Sequence, residues 1–128
     1  MYAMQANVFQ QYKNQSLETL TPGEIVVKLF EEASKQSNIG IFALDKGETH
    51  RAYNAVAKAQ RVIYTLNTSL DMKYAISLEL RDMYLFMEQK LIEANGKQDT
   101  QMLKDILGLV DELKVTFRQA EKLARTQK

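Results

Sequence analysis

His50 is the only histidine in the 128 residues and the side chain whose type most directly suggests catalysis. Histidine phosphotransfer domains are helical bundles in which the reactive histidine lies in mid-helix, closely followed by a lysine and a small residue. Here Ala52, Tyr53 and Asn54 follow, and His50 lies in the first turn of a predicted helix. We therefore interpret His50 as an exposed surface residue and do not favour phosphotransfer.

Metal chemistry in a helical bundle needs Glu-x-x-His pairs that face inward, and this sequence contains none. There is no cysteine, which excludes thiolate metal sites and disulfides, and no glycine-rich phosphate loop or nucleophile elbow is present. We expect no enzymatic activity, no catalytic residue, no cofactor and no metal. The acidic residues are predicted to lie on solvated polar faces: Glu31, Glu32, Glu79, Asp82, Glu88, Glu93, Asp111 and Glu112.

Composition places the chain among ordinary globular domains, with 45% hydrophobic and 26% charged residues. The net charge is +1, and Lys and Arg are spread along the chain, so we expect no nucleic-acid partner. No apolar run reaches the ~18–20 residues that span a bilayer, and no signal peptide is visible. These features predict a cytoplasmic location without membrane insertion.

Only one proline and five glycines interrupt the chain, which favours a few long helices. Thr21-Pro22-Gly23-Glu24 is a capping box with proline at the first helical position. The apolar periodicity predicts helices over about residues 21–44, 48–70, 72–95 and 99–124. Gly40 is expected to loosen the end of the first helix. Short connections make neighbours antiparallel, so the fold class is all-α: an antiparallel four-helix bundle over residues 21–128, preceded by an irregular or short helical arm over residues 1–20.

The third predicted helix carries two apolar stripes, whereas a bundle helix needs one. The first stripe is assigned to the core: Ile76, Leu80, Met83, Tyr84, Met87, Leu91 and Ala94. The second lies roughly opposite: Tyr74, Leu78, Leu85 and Ile92. Either this helix is central in the fold or the second stripe binds a partner, and spacing alone leaves both open. Tyr53 and Tyr64 lie outside the core face of the second predicted helix. Phe9 and Tyr12 lie in the N-terminal arm, where they either dock on the bundle as a strap or bind a partner.

Three segments resemble the flagellar secretion chaperone family FliS. Residues 12–30 include Tyr12-x-Asn14-x-x-Leu17 and the capping box that leads to Leu29-Phe30. Residues 58–71 begin Lys-Ala-Gln and end Leu-Asp, and residues 83–99 begin Met-Tyr and contain Ala-Asn before an aspartate. The order and spacing of these segments carry the resemblance, which extends over about residues 9–117.

The resemblance implies a non-enzymatic cytoplasmic chaperone built as a helical bundle. Such a protein binds the disordered C-terminal segment of flagellin, prevents premature polymerisation and delivers it to the export gate of the flagellar type III secretion apparatus. The flagellin-binding residues are expected to be Phe9, Tyr12, Tyr53, Tyr64, Tyr74, Leu78, Leu85 and Ile92. The alternative is a self-associating structural or adaptor bundle, in which the second stripe forms a weak homodimer and no flagellin client exists.

Overall fold

The computed structural model describes residues 20–126, and within them every regular element is an α-helix. Helix α1 spans Pro22–Asp45, α2 spans Thr49–Thr68, α3 spans Ile76–Lys97 and α4 spans Thr100–Thr126. Helix α1 packs against α2 and α4, and α3 packs against the same two helices. The four helices therefore form a square in which α1 and α3 are diagonal, as expected for the predicted bundle.

The start of α1 follows from its sequence. The Thr21 hydroxyl accepts a hydrogen bond from the Glu24 amide at 3.2 Å, and the Glu24 carboxylate accepts one from the Thr21 amide at 3.1 Å. The hydrogen bond that the Thr21 backbone amide donates to the Glu24 carboxylate, and after it the interaction of that carboxylate with the Thr21 side chain, lower the pKa of Glu24. The capping box is thus formed as predicted, with Pro22 in the first helical position.

The core is a continuous apolar cluster that all four helices supply. The Phe30 ring of α1 lies 5.2 Å from the Phe117 ring of α4 and 6.2 Å from the Tyr84 ring of α3, measured between centroids. The other large, fully buried side chains are Ile63, Leu66, Met87, Leu91, Leu103, Val56 and Val110. Because α3 packs against α2 and α4 and is diagonal to α1, it is not a central helix surrounded by the other three.

Gly40 does not loosen α1; it lets α2 approach closely. A Cβ at position 40 would lie 2.7 Å from Val56 Cγ2 and 3.3 Å from Leu103 Cδ2. Gly40 is buried, and the helix continues past it without interruption to Asp45. The expectation of a loosened helix end is therefore wrong. Glycine is needed at this position because the close packing of two neighbouring helices leaves no room for a side chain.

Helix α3 begins at Ile76, four residues later than predicted. The Asp71 carboxylate accepts a hydrogen bond from the Lys73 amide at 3.0 Å, and the Asp71 carbonyl accepts one from the Ser77 hydroxyl at 2.6 Å. These side-chain bonds compete with helix formation and hold the chain in turns up to the helix. Tyr74 therefore lies in the connection between α2 and α3, not on α3.

On α3, two residues that were predicted to be in the core are exposed, and one that was predicted to face solvent is buried. Ile76 and Met83 are exposed, because α3 packs loosely on α4 and its buried arc is narrower than the apolar pattern. Glu88 is buried at the α2–α3 interface, only 8% exposed. Its carboxylate accepts a hydrogen bond from the Gln60 amide at 3.2 Å, which satisfies a polar group in this position.

Candidate functional site

The solvent-facing side of α3 carries a row of exposed apolar residues. Leu78, Leu85 and Ile92 are spaced seven residues apart, which is close to two helical turns, so they align along one edge. Their exposures are 52%, 43% and 59%, and Tyr74, just before the helix, is also exposed. The second stripe is thus open to solvent, as the partner-binding interpretation requires.

Helix α2 adds two exposed tyrosines beside this row. Gln60 lies opposite Glu88, and the Asn95 side chain donates a hydrogen bond to the Tyr53 carbonyl at 3.1 Å. Both contacts belong to one antiparallel register, which places Tyr53 near the level of Ile92 and Tyr64 near that of Leu85.

We call this surface the α2–α3 row, and all three of its tyrosines are more than half exposed. Its members are Tyr53, Tyr64, Tyr74, Leu78, Leu85 and Ile92. The structure therefore brings six of the eight predicted binding residues onto one side of the bundle. The other two, Phe9 and Tyr12, lie outside the described residues.

A groove runs along the opposite edge of α3, between α3 and α4. It consists of two adjoining clefts of about 360 Å³ and 380 Å³ that share Phe86 and Leu109. Met83 and Met87 line one cleft, and Met102 and Ile106 line the other. We call this surface the α3–α4 groove. Its flexible methionines can adapt to the shape of a bound apolar segment.

Charged residues border the α3–α4 groove. Asp82, Asp99 and Asp105 contribute to its lining. The Lys90 ammonium lies 5.8 Å from the centroid of the Phe86 ring and 3.4 Å from the Glu93 carboxylate. Hydrogen bonds from Lys97 and then Lys90 lower the pKa of Glu93, so this carboxylate stays ionised. The groove thus has an apolar floor, an acidic border and one lysine that is already paired.

Sequence reasoning missed the α3–α4 groove. Met83 was assigned to the core, and Phe86 belonged to neither apolar stripe, although it is 49% exposed. The available signal was Phe86 itself, a large aromatic residue between the two stripes. Together the two stripes and Phe86 make most of the circumference of α3 apolar. The solvent-facing side of this helix therefore presents apolar surface both toward α2, in the α2–α3 row, and toward α4, in the α3–α4 groove.

His50 is exposed in the first turn of α2, as predicted. Over residues 20–126, no cluster of three or more His, Asp or Glu side chains is arranged to hold a metal ion. Within the same span, none of the helices has the length and apolar character needed to cross a membrane.

Comparison with known proteins identifies similar chains over nearly the full length. The family described as "Flagellar protein FliS" matches residues 5–124. The chain is 31% identical over 114 residues to the flagellar secretion chaperone FliS of Bacillus subtilis (strain 168), an alignment that covers 89% of this chain and 86% of that protein. It is 29% identical over 116 residues to the flagellar secretion chaperone FliS of Vibrio cholerae serotype O1, covering 86% of this chain and 85% of that protein.

Proposed function

The chain belongs to the FliS family of flagellar secretion chaperones, and on that premise we propose that it binds the disordered C-terminal segment of flagellin. In this proposal the bound segment cannot polymerise in the cytoplasm and is presented to the export gate of the flagellar type III secretion apparatus. The protein acts by binding alone, without catalysis. Residues 1–20 act as an arm that joins the bundle domain in holding the client.

The observation that carries the proposal is the apolar surface on both sides of the outer edge of α3. An exposed apolar patch that covers several neighbouring residues usually marks a binding site. Completing the burial of a half-exposed Leu or Ile contributes roughly 1 kcal/mol. Ordering a disordered tail costs about 2–5 kcal/mol, so only a segment that covers many such residues binds with useful affinity.

The two surfaces suit a client that wraps around α3. One part of the segment would cover the α2–α3 row, and another would fill the α3–α4 groove as an amphipathic helix. The proposed contacts are the eight predicted residues, Phe9, Tyr12, Tyr53, Tyr64, Tyr74, Leu78, Leu85 and Ile92, together with Met83, Phe86 and Leu109 of the groove.

Leu85→Asp tests this proposal by isothermal titration calorimetry with the C-terminal peptide of flagellin from the same organism. We expect roughly a tenfold or greater loss of affinity, because a buried carboxylate would replace an apolar contact. The melting temperature should change little, since Leu85 faces solvent in the free protein. Val115→Asp is the matched control, because Val115 is similarly exposed on α4 and lines neither surface.

Equal loss of affinity in both variants, or a large drop in melting temperature for Leu85→Asp with unchanged affinity, would contradict the proposed contact surface. Sedimentation equilibrium examines the alternative of a self-associating bundle. If wild-type protein is a dimer that flagellin peptide does not dissociate, and Leu85→Asp makes it monomeric, the row is a homodimer interface.

A further inference from the structure

Another cleft lies between α1 and α2, on the opposite side of the bundle from the α3–α4 groove. It is open to solvent and has a volume of about 470 Å³. Lys35 and Ile39 line it from α1, and His50, Asn54 and Lys58 line it from α2, where their spacing of four places them along one edge. Ala55 is a small buried residue at its base. We call this surface the basic cleft.

The charged side chains that line the basic cleft are all of one sign, positive. No Asp or Glu is among its lining residues. Lys35 and Lys58 are exposed, and within residues 20–126 neither forms an ion pair with an acidic side chain. Arg51 also lines the cleft but is already paired, with its guanidinium 3.1 Å from the Glu48 carboxylate. Since the whole chain carries only +1, this cationic surplus is a local feature.

Apolar surface adjoins the basic cleft at its His50 end. Ile39 is partly buried in the lining, and Phe42, almost one turn further along α1, is 52% exposed. The Arg51 guanidinium lies 5.9 Å from the centroid of the Phe42 ring, and the Lys46 ammonium lies 5.3 Å from it. Two cations thus lie near this half-exposed ring beside the cleft. A matching ligand therefore needs negative charge and an apolar group within a few residues.

We propose that the basic cleft binds an acidic segment of a partner protein, whose carboxylates contact Lys35 and Lys58 and whose apolar side chain packs on Phe42. A nucleic acid fits less well, because it requires an extended basic track, whereas these cations occupy a single compact cleft. Inorganic phosphate would leave Phe42 unused. Because the basic cleft is on the far side of the bundle from the α3–α4 groove, its occupation does not depend on the client proposed above.

The test uses the full chain and a fluorescein-labelled peptide of Glu-Glu-Leu repeats, measured by fluorescence anisotropy at low salt. The reference peptide has Gln in place of every Glu. We expect Lys35→Glu/Lys58→Glu to weaken binding of the acidic peptide roughly tenfold, because two attractions become repulsions. The control Lys104→Glu/Lys122→Glu makes the same change in net charge at exposed positions on α4 and should weaken binding at most about twofold.

Phe42→Ala provides the second measurement. It should weaken the acidic peptide roughly threefold, because the apolar contact is lost while the cleft lysines remain. All five substituted residues are exposed, so each variant should fold, and circular dichroism verifies this. The proposal is overturned if the wild-type protein does not bind the acidic peptide, if the Gln peptide binds equally well, or if both charge-reversal pairs lose equal affinity. It is also overturned if polyuridylate or inorganic phosphate binds through Lys35 and Lys58 more tightly than the peptide does.

Discussion

Gly40→Ala should destabilise the protein relative to the matched substitution Gly108→Ala. Both glycines lie in the interior of a helix, α1 and α4 respectively. A Cβ at position 108 would have no atom within 4 Å, whereas one at position 40 would lie 2.7 Å from Val56 Cγ2. The intrinsic helix propensity gained by replacing glycine with alanine is therefore common to both variants, and the steric conflict is specific to Gly40.

The magnitude follows from two opposing effects. Alanine stabilises a helix interior by about 1 kcal/mol relative to glycine, so Gly108→Ala should raise the free energy of unfolding by about that amount. Carbon atoms in contact prefer a separation of about 3.5–4.0 Å, and overpacking a core costs typically 1–3 kcal/mol. Val56 is buried and β-branched, so its methyl cannot easily rotate away. Gly40→Ala should thus have a free energy of unfolding about 1–3 kcal/mol below that of Gly108→Ala.

Urea denaturation followed by circular dichroism measures these free energies, provided that the slopes with denaturant agree. A double-mutant cycle with Val56→Ala identifies the cause. Truncation of Val56 removes the methyl that meets the new Cβ, so the double variant should be more stable than the sum of the single effects by about 1–2 kcal/mol. Equal stabilisation by Gly40→Ala and Gly108→Ala, or simple additivity in the cycle, would refute the close approach of α2 to α1.

Two further predictions concern the helix start and the core. Thr21→Ala should lower the free energy of unfolding by about 1 kcal/mol in the same urea assay, because the Glu24 amide loses its side-chain acceptor, whereas Thr21→Ser should change it little; a loss equal in both variants would contradict the cap. Burial raises the pKa of Tyr84 to about 12 from its ordinary value of 10, so the folded state keeps a proton that the unfolded state releases. The contribution of this residue to the free energy of unfolding is therefore complete below pH 10 and falls as the pH rises from about 10 to about 12. Urea titrations across this range should show the decline. Tyr84→Phe should remove the part of the decline that is due to the phenol.

Much of the architecture could be predicted from local sequence. The capping box identified the start of α1 because Thr21 and Glu24 satisfy each other's amides without help from the rest of the protein. Helical periodicity identified four helices, since apolar residues must share an arc to be covered together. The same periodicity singled out Leu78, Leu85 and Ile92, which are exposed as a row.

Other features depended on contacts between distant residues. Asp71 accepts hydrogen bonds from Lys73 and Ser77 that hold the chain in turns, so α3 begins later than its apolar pattern. Glu88 can be buried because the Gln60 side chain donates a hydrogen bond to its carboxylate. Neither position has a periodic signal that separates it from an ordinary surface residue. Gly40 looks like a weak point within α1 alone and becomes a packing requirement only when Val56 of α2 lies against it.

The sequence by itself determined which arcs of each helix are apolar, because that property depends only on residue type and on the 3.6-residue turn. The tertiary structure decided which of those arcs are covered. Phe86 lines a groove because α4 packs loosely on α3, and Lys35 and Lys58 share a cleft because α1 and α2 are adjacent. A helix does not encode the distance to its neighbour, so surfaces formed between two helices appear only once the bundle is assembled.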